Sequence, residues 1–135
     1  MNRIFGNFDT REICVHRWKL LVDLTYDDTV YGVITAPAEF ETNYASLDGL
    51  RNIVTFPIYA MLADYGDKSA TMHDFLYNRG GFQNVFGEFI PVSRLEADHV
   101  FFRALRAEGI ARWRAKLFFY GVRVFGKKYY LPNKQ

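Results

Sequence analysis

The spacing of the apolar residues changes once along this chain, near residue 47, and this change limits the folds that the chain can adopt. Residues 12–42 contain short runs rich in β-branched side chains, which are typical of strands. Residues 47–126 instead repeat their apolar side chains every three or four positions, which is the period of a helix. We therefore predict an α+β fold, with a small N-terminal antiparallel β-hairpin or sheet followed by a bundle of three to four helices, in a single domain over residues 1–135.

The strand region is predicted to contain a hairpin. Residues 19–26 and 30–35 are the stronger strand candidates, and the Asp-rich turn between them begins at Asp27. Residues 12–16 form a shorter candidate, and residues 40–42 extend the sheet in this interpretation. Together these segments predict two or three antiparallel strands.

Capping and terminating residues divide the second region into helices. A helix is predicted over residues 69–78, where a pair of glycines ends it. Ser93 opens a capping box, which predicts a helix that ends at Gly109. A last helix is predicted over residues 110–125, and a loose apolar segment over residues 50–62 is interrupted by a proline.

Aromatic residues are concentrated in residues 82–89, between two of these helices, and in residues 117–130. We interpret them as parts of the core. The apolar residues of the last helix recur at a spacing of three or four and are predicted to form its apolar face; they are Ile110, Trp113, Leu117, Tyr120 and Val124. The Arg and Lys residues of the same helix are interpreted as a solvated face.

Cysteine usage and hydropathy exclude several classes of protein. Cys14 is the only cysteine, which excludes an intramolecular disulfide framework and favours a reducing cytosol or an assembled particle. No apolar run approaches the ~20 residues of a membrane span, so no transmembrane segment is predicted. The N-terminal residues are charged where a signal peptide would be apolar, so we do not expect secretion through one.

The charged residues are distributed unevenly, although the formal net charge is only +2. Residues 1–102 hold 8 Lys and Arg against 14 Asp and Glu, whereas residues 103–135 hold 9 Lys and Arg and a single acid, Glu108. A basic end on an acidic body predicts pairing within the chain or an anionic partner. Anionic lipid and nucleic acid are the candidate partners for residues 103–134.

Three polar residues on two predicted helices indicate a possible site. His73 and Tyr77 are four residues apart and therefore share one helix face. Asp98 lies on the apolar stripe of the next helix, where a carboxylate needs a hydrogen-bond donor. If the two helices are antiparallel neighbours, Asp98 fixes the tautomer of His73, as it would for a general base. A purely structural hydrogen-bond network is an equally open interpretation.

The other polar candidates support weaker interpretations. Asp74 is predicted to point away from His73 and is a candidate calcium ligand, but calcium takes 6–8 oxygen ligands and one carboxylate is not enough. His16 and His99 are interpreted as strand or surface residues. Cys14 and His16 could share a strand face as a dyad, but a lone cysteine in a strand is more often a small core residue.

Three segments of the chain, FETNYAS at residues 40–46, ATMHDFLY at 70–77 and RLEADHVF at 94–101, resemble the motifs of domain-of-unknown-function family 1353. This family occurs mostly in tailed bacteriophages and prophages, and the resemblance extends over about residues 38–125. Ser46 matches its first motif, but Asn43 stands where the family usually has Asp. The resemblance implies a phage protein, and we predict a virion- or tail-associated structural or assembly component with virion proteins or further copies of itself as partners.

A second similarity is to phospholipase A-two enzymes, whose active helix carries H-D-x-x-Y and whose antiparallel neighbour supplies an Asp. This similarity implies that His73 activates water, that Asp98 orients it, that Tyr77 donates to Asp98 and that Asp74 binds calcium. The glycine-rich calcium loop and the disulfides of those enzymes are not visible in this sequence. A lipid hydrolase is therefore the alternative to the phage structural role, and nucleic-acid binding through the basic C-terminal residues is the third hypothesis.

Overall fold

The structure, a computed structural model, describes residues 5–6, 8, 10–14, 17–42 and 67–134. Within these residues the chain forms short antiparallel strands followed by three α-helices. The fold is α+β, as the change in apolar period predicts. No helix among the described residues is long and apolar enough to cross a membrane.

The described N-terminal strands form two separate antiparallel sheets. One has the order β1–β2–β5 and contains β1 (Thr10–Cys14), β2 (Arg17–Leu20) and β5 (Glu41–Thr42). The other is a hairpin of β3 (Leu24–Asp28) and β4 (Gly32–Ala36). The predicted hairpin is therefore present, and the segment at residues 40–42 does extend a sheet.

The predicted strand over residues 19–26 is wrong in one respect, because it is two strands. The chain leaves β2 at Leu20 and enters β3 at Leu24, and both of these leucines are fully buried. Two exposed apolar residues, Leu21 and Val22, lie in the bend between them. A continuous apolar run in the sequence therefore conceals a change of sheet.

The turn of the hairpin lies later than predicted. Asp27 and Asp28 still belong to β3, where Asp28 pairs with Gly32. One carboxylate oxygen of Asp28, Oδ2, accepts hydrogen bonds from the backbone N–H groups of Val30 and Tyr31, at 3.0 and 3.1 Å. Asp residues commonly stabilise turns in this way. The aspartate therefore closes the turn from its first position instead of occupying its centre.

The helices are α1 (Asp67–Arg79), α2 (Arg94–Ala107) and α3 (Arg112–Phe125). The capping box predicted at the start of α2 is confirmed, since the Ser93 side chain accepts from the Glu96 backbone and the Glu96 side chain accepts from the Ser93 backbone. Helix α1 begins two residues before Ser69. The Ser69 backbone N–H donates instead to the Glu108 carboxylate, at 2.6 Å, which connects α1 to the end of α2.

Residues 80–92 connect α1 to α2. They contain a short hairpin of β6 (Gly81–Gln83) and β7 (Phe89–Pro91), which the sequence reasoning missed. Phe82 is buried, as predicted for these aromatics, but Phe86 and Phe89 are 82% and 55% exposed. The interpretation of this segment as core is therefore wrong for two of its three phenylalanines.

Two apolar clusters hold the described elements together. The larger one combines residues of β2 to β4, α1 and α2, and its fully buried members include Tyr26, Ile34, Met72 and Leu76. The smaller one lies between α2 and α3 and includes Phe101, Leu105, Phe118 and Val122. The α1–α2 interface belongs to both clusters, and this interface carries the polar residues singled out from the sequence.

The predicted apolar face of α3 is wrong. Four of its five residues are exposed; Trp113, Leu117, Tyr120 and Val124 have exposed fractions of 59%, 44%, 61% and 67%. The buried face consists of Ala115, Phe118 and Val122. Both stripes have the same helical spacing, so the period alone does not show which one faces the core.

Candidate active site

His73, Tyr77 and Asp98 meet in the interface of α1 and α2. His73 Nε2 lies 2.7 Å from Asp98 Oδ1, and the Tyr77 hydroxyl donates to the same oxygen at 2.6 Å. The two α1 residues share a face because they are one helical turn apart, and Asp98 lies on the buried face of α2. The juxtaposition expected from the spacing is therefore present.

The ionisation of Asp98 fixes the tautomer of its histidine partner. An ionised carboxylate only accepts hydrogen bonds, so Nε2 of His73 must carry the proton that joins the two groups. In a neutral imidazole the unprotonated nitrogen is then Nδ1. This is the arrangement by which a carboxylate orients a histidine that acts as a base.

The surroundings of His73 are apolar. The ring centroid lies 4.1 Å from that of Tyr77 and 4.6 Å from that of Phe101, and the side chain has no exposed surface. Tyr130, which follows the last helix, packs edge-on against Tyr77 with centroids 5.4 Å apart. Electrostatic interactions are stronger in such a dry environment, so the hydrogen bonds of Asp98 hold their geometry firmly.

Arg123 is a member of this network that the sequence reasoning did not single out. Its Nη1 donates to Asp98 Oδ2 at 2.8 Å, so each carboxylate oxygen has at least one donor. Arg94 supports it from α2, because its Nη2 donates to the carbonyls of Val122 and Arg123, at 2.8 and 2.6 Å. A cation at the C-terminal end of α3 also interacts favourably with the dipole of that helix. The only signal for Arg123 in the sequence was the predicted pairing between the acidic body and the basic end.

The net effect of these contacts keeps Asp98 ionised. Burial by itself raises the pKa of the Asp98 carboxyl, but the hydrogen bond and charge of His73 and the hydrogen bonds of Tyr77 and Arg123 lower it below 3.8. For Tyr77, burial and then the negative charge of Asp98 raise the pKa of the hydroxyl, so it stays protonated and donates. The site is therefore a carboxylate that holds one imidazole and one phenol in fixed positions.

Asp74 is partly buried and neighbours His73 on α1. Among the described residues no group of three or more His, Cys, Asp or Glu side chains could hold a metal ion. The described residues thus do not supply a cluster of acidic side chains around Asp74 for calcium.

The remaining predicted site residues fall elsewhere. His99 is exposed, as expected, and its ring lies 4.9 Å from that of Phe119. Asn43 and Ser46, like the segment over residues 50–62, lie outside the residues that the structure describes, as do the side chains of Cys14 and His16. The predictions made for these positions stay predictions.

A surface cavity of about 440 Å³ lies on a different side of α1 from His73. Phe75 and Arg79 of α1 line it, together with residues of β4 and of the β6–β7 hairpin such as Val33, Phe82 and Phe89. None of His73, Tyr77 and Asp98 contributes to its wall. This cavity is therefore separate from the buried network.

Comparison with known proteins identifies the family of the chain. No curated protein and no solved structure matches the chain. The family described as "Protein of unknown function (DUF1353)" matches residues 18–122, a segment that contains α1, α2 and nearly all of α3. The resemblance seen in the sequence motifs is thereby confirmed at the level of the family, while the phage context and the similarity to phospholipases stay predictions. The chain belongs to the DUF1353 family of proteins of unknown function.

Proposed function

We propose that this protein is a hydrolase in which His73 acts as the general base and Asp98 orients it. The observation that carries the proposal is the 2.7 Å contact between His73 Nε2 and Asp98 Oδ1, in which the second oxygen of the carboxylate is held by Arg123. A histidine whose Nε2 is fixed by a carboxylate has Nδ1 as its basic nitrogen. The substrate class that fits the phospholipase similarity is a carboxylic ester, in particular an acyl ester of a phospholipid.

The reaction uses this base and a water molecule, and the water and the ester must reach Nδ1 inside the helix interface because His73 has no exposed surface. Nδ1 of His73 takes a proton from the water while the water oxygen attacks the carbonyl carbon of the ester. The tetrahedral intermediate then expels the alcohol, which takes the proton back from His73, and the products are a carboxylic acid and an alcohol. Asp98 stabilises the imidazolium that forms between the two proton transfers, and Tyr77 and Arg123 keep Asp98 in place.

The test uses short-chain phospholipids dispersed as monomers, so that activity does not depend on binding to a lipid surface. We expect release of fatty acid by the wild-type protein, and a loss of about a hundredfold to ten-thousandfold in His73→Asn. His99→Asn is the matched control, because it changes the same residue type at an exposed position and should leave the rate unchanged. The assay is run with added Ca²⁺ and with a chelator, so that the rates of the wild type and of His73→Asn are compared in both conditions.

Circular dichroism and urea unfolding show whether His73→Asn is still folded, since His73 is buried. Tyr77→Phe provides a milder variant, which keeps the ring and removes only the donor to Asp98. A folded His73→Asn protein that retains the wild-type rate contradicts the proposal. So does a wild-type protein that hydrolyses no acyl ester between about pH 5 and 9.

A second candidate function is a structural or assembly component of a phage virion, which acts in the host cytoplasm and in the particle. One observation favours it: both His73 and Asp98 have exposed fractions of 0%, which suits a fixed structural link between two helices. In that case purified particles contain the protein by mass spectrometry, and His73→Asn lowers stability without changing any enzymatic rate. Absence of the protein from particles contradicts this candidate.

A further inference from the structure

The outer face of α3 is apolar although it faces solvent. Trp113, Leu117, Tyr120 and Val124 follow one another at spacings of four, three and four residues, and each is at least 44% exposed. At about 100° per residue these positions fall within roughly 60° of the helix circumference and extend over ~16 Å. We call these four residues the outer stripe.

The outer stripe lies opposite the face by which α3 is bound to the rest of the protein. Ala115, Phe118 and Val122 are buried in the α2–α3 cluster. The helix is therefore anchored on one side and presents a second apolar stripe on the other. An exposed apolar stripe of this length on a fixed helix indicates an interaction surface.

Among the residues that the structure describes, α3 and the segment that follows it carry cations beside the outer stripe and no acids. Arg112, Arg114 and Lys116 belong to α3, and Lys127 and Lys128 follow it directly. None of the five forms an ion pair with a described residue, and all except Arg114 are exposed. No Asp or Glu occurs after Glu108. The surface is therefore complementary to a partner that is apolar inside and anionic outside.

We propose that the outer stripe docks on the surface of an anionic phospholipid bilayer, with α3 lying in the plane of the membrane. Trp and Tyr side chains favour the boundary between headgroups and acyl chains, and Lys and Arg beside them bind anionic headgroups. A second copy of the chain fits less well, because a symmetric pairing of this face brings its cations together without acids to neutralise them. This surface is distinct from His73, so the proposal does not depend on the hydrolase function.

The experiment measures co-sedimentation of the full chain with vesicles of phosphatidylcholine alone or with phosphatidylglycerol added. We expect binding that requires phosphatidylglycerol and weakens as salt is raised. The double variant Leu117→Gln/Val124→Gln should bind at least about tenfold more weakly. Val30→Gln is the matched control, since Val30 and Val124 are 66% and 67% exposed and Val30 lies in the distant β3–β4 turn.

A fluorescence measurement locates the contact. Lipids brominated on their acyl chains should quench the protein in the presence of phosphatidylglycerol, and Trp113→Phe should abolish that quenching although Trp18 is still present. Vesicle binding by His73→Asn should equal that of the wild type, which separates this result from any failure of the hydrolase assay.

Three results overturn the proposal. One is the absence of vesicle binding through the outer stripe, either because the wild type does not bind vesicles that contain phosphatidylglycerol or because the stripe variant loses no more binding than Val30→Gln. Another is a dimer in sedimentation equilibrium that the stripe variant abolishes, without vesicle binding, which would assign the surface to a second copy. The third is retention of a short DNA duplex in preference to vesicles, with a steep dependence on salt, which would assign the cations to nucleic acid.

Discussion

Asp98 has no exposed surface, and protein donors replace the water that a carboxylate normally binds. Oδ1 accepts from His73 and Tyr77, and Oδ2 accepts from Arg123. A buried charge with this many partners contributes little net stability compared with an apolar residue, but it becomes costly as soon as its counter-charge is removed. The network therefore fixes the relative position of three helices more than it adds to their stability.

Replacing Asp98 by Asn tests this view of the residue. The variant leaves the Arg123 guanidinium, which is 30% exposed, without its carboxylate, and we expect the free energy of unfolding to fall by about 3 kcal/mol. Urea denaturation at neutral pH measures the change. In the double variant with Arg123→Met the loss should be smaller than the sum of the two single losses. Additive losses contradict a direct coupling between these residues.

The lowered pKa of Asp98 predicts an acid-sensitive stability. Because the pKa of Asp98 in the folded protein lies below that of an ordinary aspartate, the unfolded chain binds a proton more readily. The stabilisation is therefore complete above the unfolded pKa, and it is lost as the pH falls through the folded pKa. Burial raises the pKa of Asp28, but Arg103 and the backbone N–H groups of Tyr31 and Val30 together lower it below its ordinary value, so Asp28 contributes in the same direction. Unfolding free energies measured between about pH 6 and 3 should therefore fall more steeply for the wild type than for Asp98→Asn. Equal slopes contradict the assignment.

Gly126 illustrates a constraint that the sequence did not reveal. The sequence pattern identifies it only as the end of the last helix, but a Cβ atom at this position would lie 2.5 Å from the carbonyl oxygen of Val122 and 3.0 Å from the hydroxyl oxygen of Tyr77. Gly126→Ala should therefore lower the free energy of unfolding by about 1–3 kcal/mol through overpacking. The loss should be smaller in a Tyr77→Phe background. Urea denaturation of the wild type, the two single variants and the double variant provides the comparison. An equal loss in both backgrounds contradicts crowding at Tyr77.

Among the elements, helices with strong local signals were predictable, and elements defined by tertiary packing were not. The capping box at Ser93 fixed the start of α2, and with it the position of Asp98 on the buried face. The β6–β7 hairpin was missed because each strand has only three residues and Gly81 opens the first. Strands this short carry no period of their own and form because β6 packs against α1 and β4.

The last helix shows why an apolar pattern does not locate the core. Its two stripes have the same spacing, and the larger side chains, Trp113 and Tyr120, lie on the exposed one. The buried face consists of Ala115, Phe118 and Val122, which pack in the α2–α3 cluster. Arg123 could not be placed in the site from sequence for the same reason, because its side of α3 was unknown until the packing was known.

The capping box gives a prediction for the start of α2. Ser93→Ala removes the acceptor for the Glu96 backbone N–H, at 3.2 Å, and should lower the free energy of unfolding by about 1 kcal/mol. Ser93→Asp should retain most of the wild-type value, since Asp is also a strong N-cap residue. Urea denaturation measures both variants. A loss in Ser93→Asp as large as that in Ser93→Ala would show that the side chain contributes something other than the cap.

At the scale of the whole molecule, two ion pairs between described residues join the acidic body to the basic end of the chain. Arg103 holds Asp28 of the β3–β4 hairpin with two hydrogen bonds, at 2.8 and 3.0 Å, and Arg123 holds Asp98. Both aspartates are fully shielded from solvent, and both arginines belong to residues 103–135. The uneven charge therefore serves two purposes, internal pairing through these two arginines and an unpaired cationic surface around the outer stripe.

These two uses of charge respond differently to salt. Buried pairs are screened little, so raising NaCl from about 0.05 to 1 M should change the free energy of unfolding by less than about 1 kcal/mol. The same change should abolish most binding to phosphatidylglycerol vesicles, since the cations beside the outer stripe are exposed. Glu39→Gln is the control for an exposed pair, because Glu39 forms an ion pair with Lys19 and its own side chain is 73% exposed. The free energy of unfolding of this variant should hardly differ from that of the wild type. A loss of several kcal/mol in high salt would mean that the pairs of Asp28 and Asp98 are open to solvent, and that the basic end is held to the body by long-range attraction.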